Sequence, residues 1–399
     1  MAPPPREDQG TGAVEAADYL ARAQALAPRI AAAADEIESE RRIPAPLFAA
    51  IIDAGLYRML LPRSLGGGEI DPPTFVRVIE TIAKADASVA WCLCQNTVCS
   101  LVAASLPIEG ARAIYGDSRA VLAWGPGPSR AVVAPGGYRV TGSWSFASGG
   151  RHATWLGAHC PVHEADGTPR LGPSGAPVIR TVLFPAREAP MSDIWRVIGL
   201  RGTASDAYAV NDLFVPDDFT LARDDPAERR ETGPLYSFPT NSLYSCGFAC
   251  VALGLARSLL DAFLALTLEK TPRGYKSKLR ENAVVQSELA QSEARLRGAR
   301  IYIMGTLGEI WAAVQRENRI SLDQRMAIRL AATHTIQEAV KVADDAYHAA
   351  GATAIFNSNA FERRFRDIHT VAQQVQGRRS HFETVGRYLL GFETDLLFV

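Results

Sequence analysis

Apolar residues in the first part of the chain recur at alternating steps of three and four: Leu20, Ala23, Ala27, Ile30, Ala34 and Ile37 form one stripe. That spacing predicts an amphipathic helix, with a kink at Pro28. A shorter helix follows Pro46 and stops at Gly55. The stretch from Pro72 to Pro107 reads as two more helices, and the second, from about Ser88, is apolar on almost every side. A helix of that kind belongs in the interior.

Near residue 118 the texture changes to short β-rich runs divided by Gly and Pro, among them AVLAWG, WLGAHCPV and IRTVLFP. They predict an antiparallel β domain. Within it, GSWSFASGGRHATW (142–155) follows a period of two that sets Tyr138, Val140, Trp144 and Phe146 on one face of a strand, which Gly149 and Gly150 end. Such a strand end is either plain sandwich architecture or a place that presents Ser148 and nearby amides to a flat ligand. From Thr240 the helical period returns over 240–268, 280–317, 321–350 and 358–391, an up-down four-helix bundle. The expected class is α+β, mainly α. It comprises a disordered leader (1–13), an N-terminal helical domain (14–118), a central β domain (119–230) and a C-terminal bundle (231–399).

Composition narrows the function. The chain has 399 residues, 47% of them hydrophobic, and a formal net charge of -1. Without a basic surplus, nucleic-acid binding lacks its main source of affinity. The N-terminus has no apolar signal core, and no later run is read as a membrane span, so a cytoplasmic protein without a membrane partner is expected. The six cysteines lie mostly in apolar segments without paired C-x-x-C spacing, which favours buried thiols over disulfides or a metal site.

Motifs that carry chemistry are sparse. SLGGGE (64–69) lacks the Lys-Ser/Thr of a phosphate loop, and there is no G-x-S-x-G elbow or H-E-x-x-H helix. His152, His159 and His163 read as solvated or structural histidines. The last helical segment is more unusual, with Arg364, Arg366, Asp367, His369, Gln373, Gln374 and Gln376 close together. At helical spacing His369 and Gln373 share one face and Thr370 and Gln374 the next. This is either a solvated face or the lining of a partly buried polar pocket.

The order of the three parts, together with LLPRSLGGGE (60–69), GGYRVTGSWSFASG (136–149), GLRGTASDAYAVNDLFVP (199–216), DDAYHAAGATAIF (344–356) and RFRDIHT (364–370), resembles the acyl-CoA dehydrogenase superfamily over nearly the whole chain. Within it, the similarity is to the branch of flavin-dependent monooxygenases. AWGPGPSRAVVAPGGYRV (123–140) replaces the Thr-Glu-Pro and Gly-Ser-Asp loop of the dehydrogenases. Thioester dehydrogenation also needs a carboxylate near the substrate α-carbon. At the two family positions for it this chain has QQVQG (373–377) and a first bundle helix with no acid before Asp261.

The resemblance implies that reduced FMN or FAD, supplied by a separate reductase, reacts with dioxygen to give a C4a-hydroperoxide that oxidises a small aromatic or heteroatom-containing substrate. It places Ser148 near flavin N5 and Trp144 or Phe146 against the ring. Arg273, His348 with Gly351, Arg366 and Thr370 are the implied further cofactor contacts, some of them across a subunit boundary of a homotetramer. The phenol hydroxylases of the branch use two histidines on the substrate. Here WCLCQNTVCS (91–100) has none and the second position corresponds to Gln374. Gln95, Asn96 and Gln374 are therefore the expected substrate contacts, with Ser148, Gln374 and His369 the candidates for catalysis. Two other readings stay open at this point: a dehydrogenase or oxidase with permanently held FAD, and a non-catalytic binding protein on the same fold.

Overall fold

The computed structural model of the chain describes residues 9–359 and 361–399. Its N-terminal part is helical: α1 (Gln9–Ala32), α2 (Ala34–Glu40), α3 (Ala45–Asp53), α4 (Pro72–Ala85), α5 (Ala87–Cys99) and α6 (Ile108–Tyr115). Residues 1–8 of the expected leader lie outside the described residues, and α1 already begins at Gln9, within the segment expected to be unstructured. The first helix runs through Pro28 and breaks at Ala33. Asp86 ends α4 and caps α5, its carboxylate accepting from the Val89 N–H at 2.9 Å, so one acidic residue satisfies a free amide where two helices meet. All of α5 except Gln95 is buried.

The middle of the chain forms an eight-stranded sheet: β1 (Leu122–Trp124), β2 (Ser129–Ala134), β3 (Gly137–Ala147), β4 (Trp155–His163), β5 (Ile179–Pro185), β6 (Met191–Ser192), β7 (Asp206–Pro216) and β8 (Thr220–Leu221). The order is β6-β7-β3-β2-β4-β5-β8, with β1 added alongside β4. Pairing is mostly antiparallel, but β1 and β2 each run parallel to β4.

β3 departs from simple alternation. Its register against β7 shifts between Val140 and Gly142 and again between Trp144 and Ala147. At the second shift Phe146 takes φ 60°, a left-handed conformation uncommon for a non-glycine residue and typical of a bulge that re-aims a side chain. Trp144 therefore points into the β core, 1% exposed and stacked on Tyr208, whereas Phe146 turns outward at 60% exposure. The shared face expected from the period of two is broken between them.

The C-terminal part is a bundle of α7 (Thr240–Glu269), α8 (Ala283–Glu317), α9 (Leu322–Ala350), α10 (Phe361–Gln373) and α11 (Ser380–Leu389). The continuous last helix expected over 358–391 is two helices. Gln374 leaves the helical conformation (ψ 151°) and its side chain accepts from the Gln376 N–H at 2.6 Å. That local bond competes with helix continuation. The α7 helix packs against α4, α5, α9 and α10, so nearly every side of its N-terminal half is covered. Two stretches, Ala87–Ala104 and Thr240–Glu269, do have the length and apolarity of membrane spans, contrary to the sequence reading. They are 89% and 67% buried within the protein, as core helices are.

Candidate active site

Where the three parts meet lies a cavity of about 500 Å³, a usual volume for a small-molecule site. The end of β3 supplies one wall. Asn96, buried on α5, donates to the Ser148 and Leu122 carbonyls, both at 3.1 Å. Gly149 follows at φ 73°, and a Cβ there would run into the Asn96 amide. This junction needs glycine for its backbone angle and for space.

Ser148 Oγ sits in a chain of hydrogen bonds whose direction can be worked out by counting protons. Thr203 Oγ1 donates to the Leu200 carbonyl at 2.9 Å and so spends its one proton. The 2.7 Å bond between Thr203 and Ser205 must then be donated by Ser205, and the 2.7 Å bond between Ser205 and Ser148 by Ser148. Trp91 Nε1 donates to Ser148 Oγ at 3.0 Å. Ser148 has no proton left for the cavity and one lone pair to offer it. It faces a ligand as an acceptor.

Strain collects around the same residues. Phe146, Leu200 and Ala204 all have positive φ (60°, 51° and 44°), a clustering of unfavourable backbone that is characteristic of functional sites. Asp206, fully buried, holds the neighbouring loop by accepting from the Ile194 and Trp195 amides at 3.0 and 3.1 Å, and Arg151 pairs with its other oxygen at 2.5 Å. Trp195 donates its indole N–H to the Leu200 carbonyl at 3.0 Å and meets Phe146 edge-on at 5.8 Å. Two aromatic rings are thereby fixed at one mouth of the cavity.

A further part of the lining is built by α5 and α7. Trp91 stacks on Phe248 at 4.0 Å, and Phe248 on Tyr244 at 5.8 Å. Gln95 Nε2 donates to the Tyr244 hydroxyl at 3.1 Å. Burial raises the Tyr244 pKa well above its usual value, so the phenol stays protonated. His159 on β4 and Arg223 complete this end: Arg223 donates to His159 Nε2 at 2.9 Å, which makes Nδ1–H the donor to Thr181 Oγ1 at 2.8 Å. Burial and then the Arg223 charge hold the imidazole pKa well below normal, so it is neutral. Among the described residues that line the cavity there is no Asp or Glu.

The expected site residues divide into three groups. Ser148, Phe146, Gln95, Thr370 and Gln374 all line the cavity. Gln374 uses its amide oxygen on Gln376, so its NH2 end is what a ligand can meet. A second group sits elsewhere. Trp144 packs in the β core, and Asn96 acts behind the wall on the Ser148 backbone. His369 pairs with Asp344 at 2.9 Å and meets Phe365 edge-on at 4.5 Å, and it is not among the residues that line the cavity. Arg366 is taken up by Glu362, Glu38 and the Ile198 carbonyl, which leaves little of its charge for a phosphate. The third group, Arg273, His348 and Gly351, is exposed at one end of the bundle, where Lys270 ties its loop to the Ala350 carbonyl at 2.6 Å. One chain does not bring these three to Ser148.

Sequence reasoning missed Trp91, Trp195, Thr203, Ser205, Arg223, Tyr244 and Phe248, and read His159 as a solvated or structural histidine. The available signal was the hydroxyl pair Thr203 and Ser205 inside a string already matched to the family.

The cavity suits a flavin ring. Gln376 Oε1 is buried beside it with no hydrogen-bond partner among the described residues, an acceptor available to a ligand donor. The aromatic pair Phe146 and Trp195 and the Ser148 acceptor add a flat wall with one polar point.

Comparison with known proteins agrees with this geometry. Residues 19–106 match the acyl-CoA dehydrogenase N-terminal domain family and residues 246–377 the acyl-CoA dehydrogenase C-terminal domain family. The indole-3-acetate monooxygenase of Pseudomonas putida is 28% identical over 360 residues, covering 89% of each chain. The oxygenase subunit HsaA of a flavin-dependent monooxygenase from Rhodococcus jostii is 26% identical, covering 88% of this chain and 92% of that protein. XiaF from Streptomyces sp., solved with FADH2 and glycerol, has the same fold at a TM-score of 0.89 and 22% identity, over 98% of this chain and 99% of that one. The chain belongs to the acyl-CoA dehydrogenase superfamily, within the branch of its flavin-dependent monooxygenases.

Proposed function

We propose that the chain is the oxygenase component of a two-component system, taking reduced FMN or FAD from a separate reductase and oxidising a small aromatic substrate. The observation that carries this is the cavity lining: an acceptor hydroxyl and aromatic walls, with no carboxylate. When bound, reduced flavin supplies the electrons that activate dioxygen. Ser148, Phe146, Trp195, Gln376 and Thr370 are the residues that would hold it.

Each wall then has a task. Ser148 accepts from an N–H of the ring, which reduced isoalloxazine has at positions where the oxidised form has lone pairs. Phe146 and Trp195 keep water from that side. Gln95, Tyr244 and Gln374 offer neutral hydrogen bonds that orient a substrate without charging the site. Removing a proton from a thioester α-carbon would need a base, and Asp261 on α7 is 60% exposed and paired with Arg257 at 2.7 Å. The positions of Arg273, His348 and Gly351 support a homotetramer in which a second subunit brings them to the cofactor.

The test is to mix the protein with chemically reduced FMN or FAD without oxygen, add labelled dioxygen and a panel of aromatic substrates, and look for one labelled oxygen atom in a product. Reduction of a tightly held FAD by an acyl thioester, with no labelled product from any aromatic, would overturn the reading.

A further inference from the structure

We propose that the substrate carries a carboxylate and that Arg223 binds it, an inference that rests on reading this cavity as the oxygenase site. Arg223 follows β8, where the β domain gives way to the bundle, and lines the cavity at the end built by Tyr244, Gln95 and His159. It is held from behind. Nη1 donates to His159 Nε2 at 2.9 Å, and His159 is itself fixed by Thr181. The imidazole is neutral, so it accepts from the guanidinium and orients it without setting a second positive charge against it.

The nearest acid is Asp224, whose Oδ2 lies 3.5 Å from Arg223 Nε. That carboxylate is already engaged at the start of α7, accepting from Thr240 N at 2.9 Å and from Thr240 Oγ1 at 2.6 Å. It compensates Arg223 only in part. The cavity's other guanidinium, Arg378, is exposed. A part-buried cation whose Nη2 has no partner among the described residues, in a cavity lining of aromatic rings and amides that contains no acid, is complementary to a planar anion. Trp124, edge-on to His159 at 4.9 Å, and Tyr244 provide flat apolar surface beside it. Ring and anion together define an aromatic carboxylate.

The other source of an anion is a flavin phosphate. A phosphate site is normally built from several donors, commonly including backbone amides at a helix N-terminus. Here one part-buried cationic side chain is offered, the other, Arg378, being exposed.

Calorimetric titration decides the matter without turnover. Phenylacetate and indole-3-acetate are compared with their neutral amides, on wild type, Arg223→Gln and Arg223→Lys, and oxidised FMN is titrated separately. The wild type should prefer an acid over its amide by about tenfold or more, the size of a charge-assisted bidentate contact. Arg223→Gln should abolish that preference and Arg223→Lys restore part of it, with FMN affinity changed by less than about threefold. Equal wild-type affinity for acid and amide overturns the proposal even if the variants fail to fold. Loss of FMN affinity as large as the loss of acid affinity also overturns it and gives Arg223 to the cofactor phosphate. Since binding is read directly, acid preference without any oxygenation would sink the oxygenase reading and leave this assignment standing.

Discussion

Trp91 Nε1 donates to Ser148 Oγ at 3.0 Å across 57 residues of sequence, so a helix of the first domain fixes the hydroxyl at the end of a strand in the second. The bond matters because Ser148 is the polar point of an otherwise aromatic wall. Its direction is imposed from both sides, by the indole donor and by Ser205.

Trp91→Phe tests that relationship. The ring can still stack on Phe248, while the donor is lost. A buried hydrogen bond of this kind contributes about 1 kcal/mol, or roughly fivefold. The expected result is a fall of about that size in the ratio of oxidised product to hydrogen peroxide. Unchanged coupling would show that Ser148 does not need to be held.

Thr203 decides which way the hydroxyl chain points. In Thr203→Val the proton of Ser205 is free to turn, and Ser148 gains a proton to donate into the cavity. The variant should therefore bind oxidised flavin more tightly relative to reduced flavin than the wild type does, by about fivefold for one neutral hydrogen bond. Thr203→Ser keeps the proton count and should behave as wild type. Anaerobic titrations of both flavin states give the ratio. If Thr203→Val leaves it unmoved, the chain does not govern redox preference.

Phe146 sits in a left-handed conformation that costs an L-residue about 1–2 kcal/mol. Its ring is mostly exposed, so little burial is lost when it is removed. Phe146→Gly relieves the strain but adds about 0.5–1 kcal/mol of chain entropy, and the denaturation midpoint should stay level or rise slightly. Phe146→Val, branched at Cβ, should lower it clearly. Both should weaken flavin binding. If glycine destabilises as much as valine, the positive φ is not what the position requires.

Much of the architecture was legible because it follows from periodicity. The stripe from Leu20 to Ile37 and the largely apolar α5 each had one way to be buried. Ser148 was found through the glycines that stop its strand together with a family resemblance. What could not be read depends on contacts between distant segments. The bulge that turns Phe146 away from Trp144 is set by pairing with β7, and a period of two carries no sign of it. Gln374 leaves its helix through a side-chain bond to Gln376, in a stretch whose composition suits a helix. Trp91, Arg223 and the Thr203–Ser205 pair come to line one cavity only once the three parts of the chain have packed. His369 was misplaced for a related reason: helical spacing fixes a face but does not say whether that face meets a cavity or Asp344.

Stability against pH offers a final test, because two buried groups act with opposite sign. Burial raises Asp367 to about 7, even though the Leu200 amide donates to it at 2.6 Å. Unfolded, it would titrate near its ordinary value of about 3.9. Between those values the folded chain binds the extra proton, so this group makes the protein less stable as pH rises from about 4 to 7. His152, stacked on Phe48 at 4.4 Å, is lowered to about 4 by burial and then by Arg42 and Arg151. There the unfolded chain binds the extra proton, so stability falls as pH drops from about 6.5 to 4. Each slope is at most about 1.4 kcal/mol per pH unit, and in the wild type they offset one another over most of that range. Asp367→Asn keeps an acceptor for the Leu200 amide and should expose the histidine slope, with a melting temperature that falls toward acid and exceeds the wild type at pH 8. His152→Phe keeps the stack on Phe48 and should expose the aspartate slope, with a melting temperature that rises toward acid. Melting curves at half-unit steps from pH 4 to 8 would show the two variants diverging in opposite directions. Parallel profiles would mean that neither group is held in its neutral form.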